Sequence, residues 1–213
     1  MRVRAHLVTN YETEEEWLAA RRWLVTASDA AAILGIDSHA TAEQIFTEKT
    51  TGIGRGTSEP MTWGKRLQGA ILAGFREDSG LDVHEQPAWL IRTHAVYPWL
   101  GCTLDGIVYE TDRGTPQSQT VPVEIKNVNQ FAKSAWTDYP PLRYQTQLAV
   151  QCAVLGASHG YLVALIGGQF LCWHRLEFPA VWFDLALPAL AAFSARLEPF
   201  RPLDKKSMLV KLA

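Results

Sequence analysis

The stretch Val121-Pro122-Val123-Glu124-Ile125-Lys126-Asn127 alternates apolar and polar side chains. With a period of two, Val123 and Ile125 fall on one face of a strand, and Glu124 and Lys126 project side by side from the other. Alone, Glu-x-Lys says little, because chance supplies it roughly once in a few hundred residues and a surface ion pair is its ordinary meaning. The segment upstream changes that reading. In Gly101-Cys102-Thr103-Leu104-Asp105-Gly106-Ile107-Val108 an aspartate interrupts an apolar run directly before a glycine. With a turn in between, an antiparallel neighbour sets Asp105 beside Glu124. Asp-Gly is also an ordinary turn signal. The apolar flanks favour a strand, with Gly106 letting the backbone bend.

Two converging carboxylates offer hard oxygen ligands to Mg²⁺ or Mn²⁺. Lys126 beside them is positioned to orient or deprotonate an attacking water and to offset charge on a phosphorane-like transition state. This is the minimal apparatus for phosphodiester hydrolysis.

Outward from the pair, residues 12–24 carry acids early and arginines late, as a helix dipole favours. Ser28-Asp29 before Ala30-Ala31-Ala32-Ile33-Leu34 and Gly35 reads as a short helix with Ser28 at its N-cap. A polar, Gly-rich stretch over 50–60 precedes a long helix from Trp63 to about Ser79, closed by Gly80. Val83 to Arg92, Gly101 to Tyr109 and Thr120 to Asn127 read as three strands, the last turn spanning 111–116. Leu142 to Leu155 is a helix stopped by Gly156. Tyr161 to Ile166 and Phe170 to Leu176 form a strand pair around Gly167-Gly168, and a final helical pattern contains Pro188. That order predicts an α/β protein with one mixed β-sheet flanked by helices.

The 213 residues, 47% of them hydrophobic, suit one domain over 1–213, with N-terminal helices over 12–80, a sheet and helices over 81–200 and a short tail over 201–213. The basic N-terminus lacks an apolar leader, and no segment reaches 18 apolar residues without charge, so no membrane and a cytoplasmic location are expected. Cys102, Cys152 and Cys172 are far apart among apolar neighbours, as small buried hydrophobes are in a reducing compartment. They exclude a four-cysteine metal site within one chain. A net charge of −2 excludes a generic polycation, so phosphate binding needs a local basic patch. None of the six histidines is spaced as a helical metal pair, and the tryptophans mostly read as core.

Asp105-Gly106, Glu124-Ile125-Lys126, Gln147 at the start of a helix, Arg21 with Thr26-Ala27-Ser28-Asp29-Ala30, and Trp63-Gly64-Lys65 resemble, in order, the PD-(D/E)-x-K nucleases of the lambda exonuclease and YqaJ-like viral recombinase family. The resemblance spans about Arg21 to Ile166 and implies a restriction-endonuclease-like fold. It implies Asp105, Glu124 and the Ile125 carbonyl as metal ligands, Lys126 as the water-activating residue, Gln147 lining the site, and Arg21 with Ser28 on a terminal 5′-phosphate. A helix N-terminus at Ser28 gives the phosphate assignment independent sense. Trp23, beside Arg21 and Arg22, is a candidate DNA contact.

The same resemblance implies an Mg²⁺-dependent deoxyribonuclease, with Mn²⁺ able to substitute, degrading duplex DNA from its ends, 5′ to 3′, in phage-type recombination. A homotrimeric ring around DNA and a single-strand annealing partner are further expectations. Two positions depart from the family: Leu104 stands where proline is usual, and Gln68 where a glutamate is usual on the long helix. A neutral amide offers a metal only one carbonyl oxygen. Either Gln68 ligates weakly, or one metal suffices, or an acid such as Glu77 compensates, or the protein binds DNA ends without cutting. A structure- or sequence-specific endonuclease on the same fold is the other alternative.

Overall fold

The computed structural model describes residues 6–54, 56–111 and 118–202. The core of the expected 111–116 turn and nearly all of the expected tail lie outside the described residues.

In chain order the elements are β1 (His6–Asn10), α1 (Glu14–Arg21), β2 (Val25–Thr26), α2 (Ala27–Ile33), α3 (Ala42–Thr51), α4 (Glu59–Ser79), β3 (Val83–Glu85), β4 (Leu90–His94), β5 (Leu100–Cys102), β6 (Gly106–Thr111), β7 (Ser118–Val128), α5 (Ser134–Thr137), α6 (Leu142–Leu155), β8 (His159–Ile166), β9 (Phe170–Glu177) and α7 (Ala180–Leu197). A mixed sheet of order β3-β6-β7-β8-β9 is flanked by helices, as expected. A second sheet of order β1-β4-β5-β2 was not anticipated.

β7 lies at the centre of the larger sheet, antiparallel to β6 and parallel to β8 through the α5–α6 crossover. Its alternation sorts the two faces. Val121, Val123 and Ile125 pack with Ile71, Leu72 and Phe75 of α4, together with Val83, Val108, Tyr161 and Val163. On the opposite face α6 lays Leu148 and Cys152 over Leu162 and Ala164, with α2 and α7 behind. Phe75 is fully buried, so truncating it to alanine would cost about 3–5 kcal/mol.

Local chemistry explains the boundaries. α4 starts earlier than Trp63: the Ser58 hydroxyl accepts from the Met61 N–H at 3.4 Å, Pro60 fits the first turn, and Gly80 closes the helix at φ 68. The unforeseen α3 carries its own capping box, in which Thr41 and Gln44 each accept from the other's backbone N–H. The two longest strand expectations each divide. The 83–92 run stops at Glu85 ahead of Pro87, which has no N–H for a ladder, and resumes as β4 in the other sheet. The 101–109 run likewise changes sheets, with Thr103, Leu104 and Asp105 as the crossing between β5 and β6. Gly167 and Gly168 take φ 60 and φ 70 in the three-residue loop between Ile166 and Phe170, a left-handed conformation that glycine adopts without steric cost.

α7 is long and apolar enough to cross a membrane by length and composition. Here it buries Ala186, Leu190, Phe193 and Leu197 against α2, α3 and α6.

Candidate active site

The register delivers what the spacing predicted. Gly106 pairs with Val123, so Asp105, at the bend just before β6, comes level with Glu124. Asp105 Oδ2 accepts the Ile125 N–H at 2.9 Å. Gly106 serves a different purpose from the bend expected of it. Its φ is not positive, and a Cβ there would meet Leu72 Cδ2 at 3.1 Å, so the missing side chain lets α4 approach.

Glu124 is only 3% exposed, which separates it from a surface ion pair. Its Oε1 accepts from Lys126 Nζ and from Gln147 Nε2, the latter at 2.7 Å, and its Oε2 accepts from Gln151 Nε2 at 2.5 Å. Lys126 Nζ also reaches Gln147 Oε1 at 3.2 Å and lies 5.1 Å from the Tyr144 ring centroid. Burial pushes the Asp105 carboxyl up to about 7, the Glu124 and Glu85 charges push the same way, and Lys126 with the Ile125 N–H opposes them only in part. Burial works against the Lys126 ammonium, but Glu124 and Asp105 outweigh it and hold the lysine above its ordinary value. In this arrangement Lys126 is a cation that donates to Glu124 and Gln147.

Asp105, Glu124 and Gln147 line a cleft of about 460 Å³ whose lining also includes Arg21 and Ser28, whereas Lys126 is not among its lining residues and reaches it through Glu124 and Gln147. Arg21 donates to Ser28 Oγ at 2.7 Å and stacks 5.0 Å from the Trp17 ring. Thr26 Oγ1 lies 2.9 Å from Ser28 Oγ and donates to Asp29 Oδ2 at 2.6 Å, and Asp29 pairs with Lys49 at 2.9 Å. Ser28 is thus not the N-cap: Thr26 holds that position, and Ser28 lies in the first turn of the seven-residue α2. Its hydroxyl is left free of capping and faces the cleft.

Other expectations move. Gln68 lines the cleft, but its Nε2 donates to Glu85 Oε1 at 3.3 Å and points to the Asp105 carbonyl at 3.5 Å. Both partners are acceptors, so the amide nitrogen is the atom turned toward the acids. Glu77 lies nine residues along α4, about 14 Å from Gln68, and is not part of the cleft. The acid that is present there, and that the sequence reading missed, is Glu85 at the end of β3. Trp23 stands off the cleft, stacked under Arg22, whose guanidinium is engaged by the carbonyls of Lys49 and Thr50. Trp17 and Trp89 line the cleft instead. Gln151, one turn after Gln147 on α6, is a further contact of Glu124 that the sequence reading missed.

The donor set suits a hard divalent cation. Two cations, Arg21 and Lys65, face four carboxylates, Glu14, Glu85, Asp105 and Glu124, around the cleft. Even with Lys126 paired to Glu124 the carboxylates outnumber the cations, and a divalent cation beside Asp105 and Glu124 would offset the repulsion that a phosphate meets there. Among the described residues no three His, Cys, Asp or Glu side chains are grouped to hold a metal, so the two carboxylates would be completed by a backbone carbonyl such as that of Ile125. The histidines have other partners: His84 pairs with Asp82, His159 with Glu110, and His174 with the Trp136 carbonyl.

Comparison with known proteins agrees with the fold. The alkaline exonuclease LHK-Exo from Laribacter hongkongensis superposes with a TM-score of 0.70 at 24% identity, covering 93% of this chain and all of that one. A phage related exonuclease from Haemophilus somnus 129PT superposes with a TM-score of 0.58 at 10% identity, covering 84% and 96%. At such identities both speak for the fold. The uncharacterized protein YqaJ of Bacillus subtilis (strain 168) is 25% identical over 186 residues, 85% of this chain and 55% of the relative, so the chain spans about half the length of that relative. The model of the YqaJ-like viral recombinase domain matches residues 16–158, and the chain belongs to that family.

Proposed function

We propose that the chain is a metal-dependent DNA exonuclease that hydrolyses phosphodiesters from duplex ends, 5′ to 3′, in phage-type recombination. The observation that carries this reading is that Asp105, Glu124 and Gln147 share one cleft with Arg21 and Ser28. Bound through Asp105, Glu124 and the Ile125 carbonyl, Mg²⁺, or Mn²⁺ in its place, would supply Lewis-acid activation of the phosphodiester and of water. Arg21 and Ser28 hold the terminal 5′-phosphate by charge-assisted and hydroxyl hydrogen bonds, which presents the adjacent linkage to the carboxylates. Lys126, kept charged by Glu124, donates to the water or to a phosphate oxygen and offsets the charge developing there. A homotrimeric ring, a single-strand annealing partner and action in the bacterial cytoplasm complete the proposal.

The turn of the Gln68 nitrogen toward the acids favours a second reading, a DNA-end-binding module with weakened catalysis. Incubation with Mg²⁺ or Mn²⁺ and matched linear and closed-circular duplexes separates the readings. Loss of linear DNA alone, faster with a 5′-phosphate and absent in Asp105→Ala and Lys126→Ala, supports the exonuclease. Cleavage of circles would instead identify an endonuclease, and end binding without hydrolysis the module.

A further inference from the structure

Gln147 and Gln151 stand one turn apart on α6, where side chains at i and i+4 share a face. Gln147 lines the cleft, while Gln151 lies one turn deeper and is completely buried. Each amide nitrogen takes a different oxygen of Glu124: Gln147 takes Oε1 at 2.7 Å and Gln151 takes Oε2 at 2.5 Å. The backbone of Glu124 is paired with Leu162 of β8 and, on its other side, lies between the last β6 pair, Gly106 with Val123, and the Ile125 N–H bond to the Asp105 side chain, so side-chain torsion is the freedom that remains, and two donors at opposite oxygens restrict it.

The Gln151 amide also points its nitrogen at the Thr103 carbonyl, 3.4 Å away. With two acceptors on that side, the carbonyl end must point the other way, and Gln151 Oε1 is left buried without a hydrogen-bond partner. A buried acceptor in that state destabilises the fold, whereas methionine or leucine would fill a similar volume without it. Between Leu148 and Leu155 the other buried residues of α6 are apolar, so Gln151 is the one buried polar side chain in that stretch.

We infer that Gln151 is a positioning residue: it fixes the plane of the Glu124 carboxylate and thereby its orientation toward a divalent cation in the cleft. This rests on the proposed role of Glu124. It acts through Glu124 and touches neither metal nor DNA. Supporting groups of this kind alter metal affinity by about 10- to 100-fold when removed.

The test is Gln151→Met and Gln151→Leu, measured by melting temperature in chelator and by Mn²⁺ titration followed by electron paramagnetic resonance, with Glu124→Gln as reference. Each variant removes a buried unpaired acceptor but also the donor to the buried Glu124 Oε2, so both are expected to melt a few degrees below wild type and to bind Mn²⁺ about tenfold more weakly while folded, with hydrolysis falling in kcat while KM for DNA ends holds. Wild-type Mn²⁺ affinity in either stable variant would overturn the inference and leave the proposed activity standing. Mn²⁺ affinity that returns to the wild-type value when the variants are assayed well below their melting temperatures would make the amide a structural element, and would also overturn it. Equal Mn²⁺ binding by wild type and Glu124→Gln would remove the proposed role of Glu124, and the inference with it.

Discussion

Asp105 Oδ2 receives the Ile125 N–H at 2.9 Å, so the candidate catalytic carboxylate also extends the β6–β7 ladder by one bond. The same side chain therefore has a packing role and a chemical role, and a substitution can divide them.

Asp105→Asn keeps an oxygen that can accept from Ile125 and removes an anion held against burial and against Glu124. In chelator at pH 8, above the value of about 7 to which the carboxyl is raised, the variant is expected to melt about 3 °C higher than wild type. Its hydrolysis of linear duplex should fall by about 1,000-fold or more. A melting point below wild type would refute the division of roles.

Lys126→Met leaves the Glu124 carboxylate buried with only its two amide donors. Removing one partner of a buried pair costs about 3–5 kcal/mol, so the melting temperature should drop by about 10 °C. Adding Glu124→Gln to the same chain should recover most of that loss while both variants stay inactive. Calorimetry of the two single variants and the double variant gives the coupling directly.

Arg21→Ala should slow degradation of 5′-phosphorylated ends by about 10- to 100-fold and leave 5′-hydroxyl ends nearly unchanged. Ser28→Ala, which removes one neutral hydrogen bond, should cost about tenfold or less on the phosphorylated end. Equal losses on both ends would detach Arg21 from the phosphate.

Burial opposes ionisation of Asp29, but Lys49, Arg21 and the Thr26 hydroxyl outweigh it and hold the carboxyl below its ordinary range. A depressed folded-state value stabilises the protein above the unfolded pKa of about 3.9, and that contribution disappears as pH falls through the lower folded value. Asp29→Asn should therefore be less stable than wild type at pH 7, with the gap closing below about pH 4. Thermal melts from pH 7 down to pH 3 measure it.

The readable parts of the sequence were those where one local rule governed. α6 runs from Leu142 to Leu155 with Gly156 after it because periodicity and a left-handed cap agree. Asp105 meets Glu124 because period-two alternation and register leave little choice. β propensity carries no marker for a change of sheet, so Val83 to Arg92 and Gly101 to Tyr109 each read as one strand. Ser28 and Thr26 are equally good caps on paper, and only the backbone at Thr26, φ −93 and ψ 157, decides between them. Glu85 and Gln151 gave no local signal, since each acts through a partner at least 17 residues away in the chain.

The crossing at Thr103-Leu104-Asp105 joins the sheet that borders Arg21 and Ser28 to the sheet that bears Glu124. On the proposed reading, the interval between the two walls then works as a ruler. The bond to be cut is chosen by its distance from a chain terminus, without regard to which bases lie there. Such a protein would need no sequence recognition at all, and a gap or covalent block at the terminus would stop it wherever the duplex happened to end.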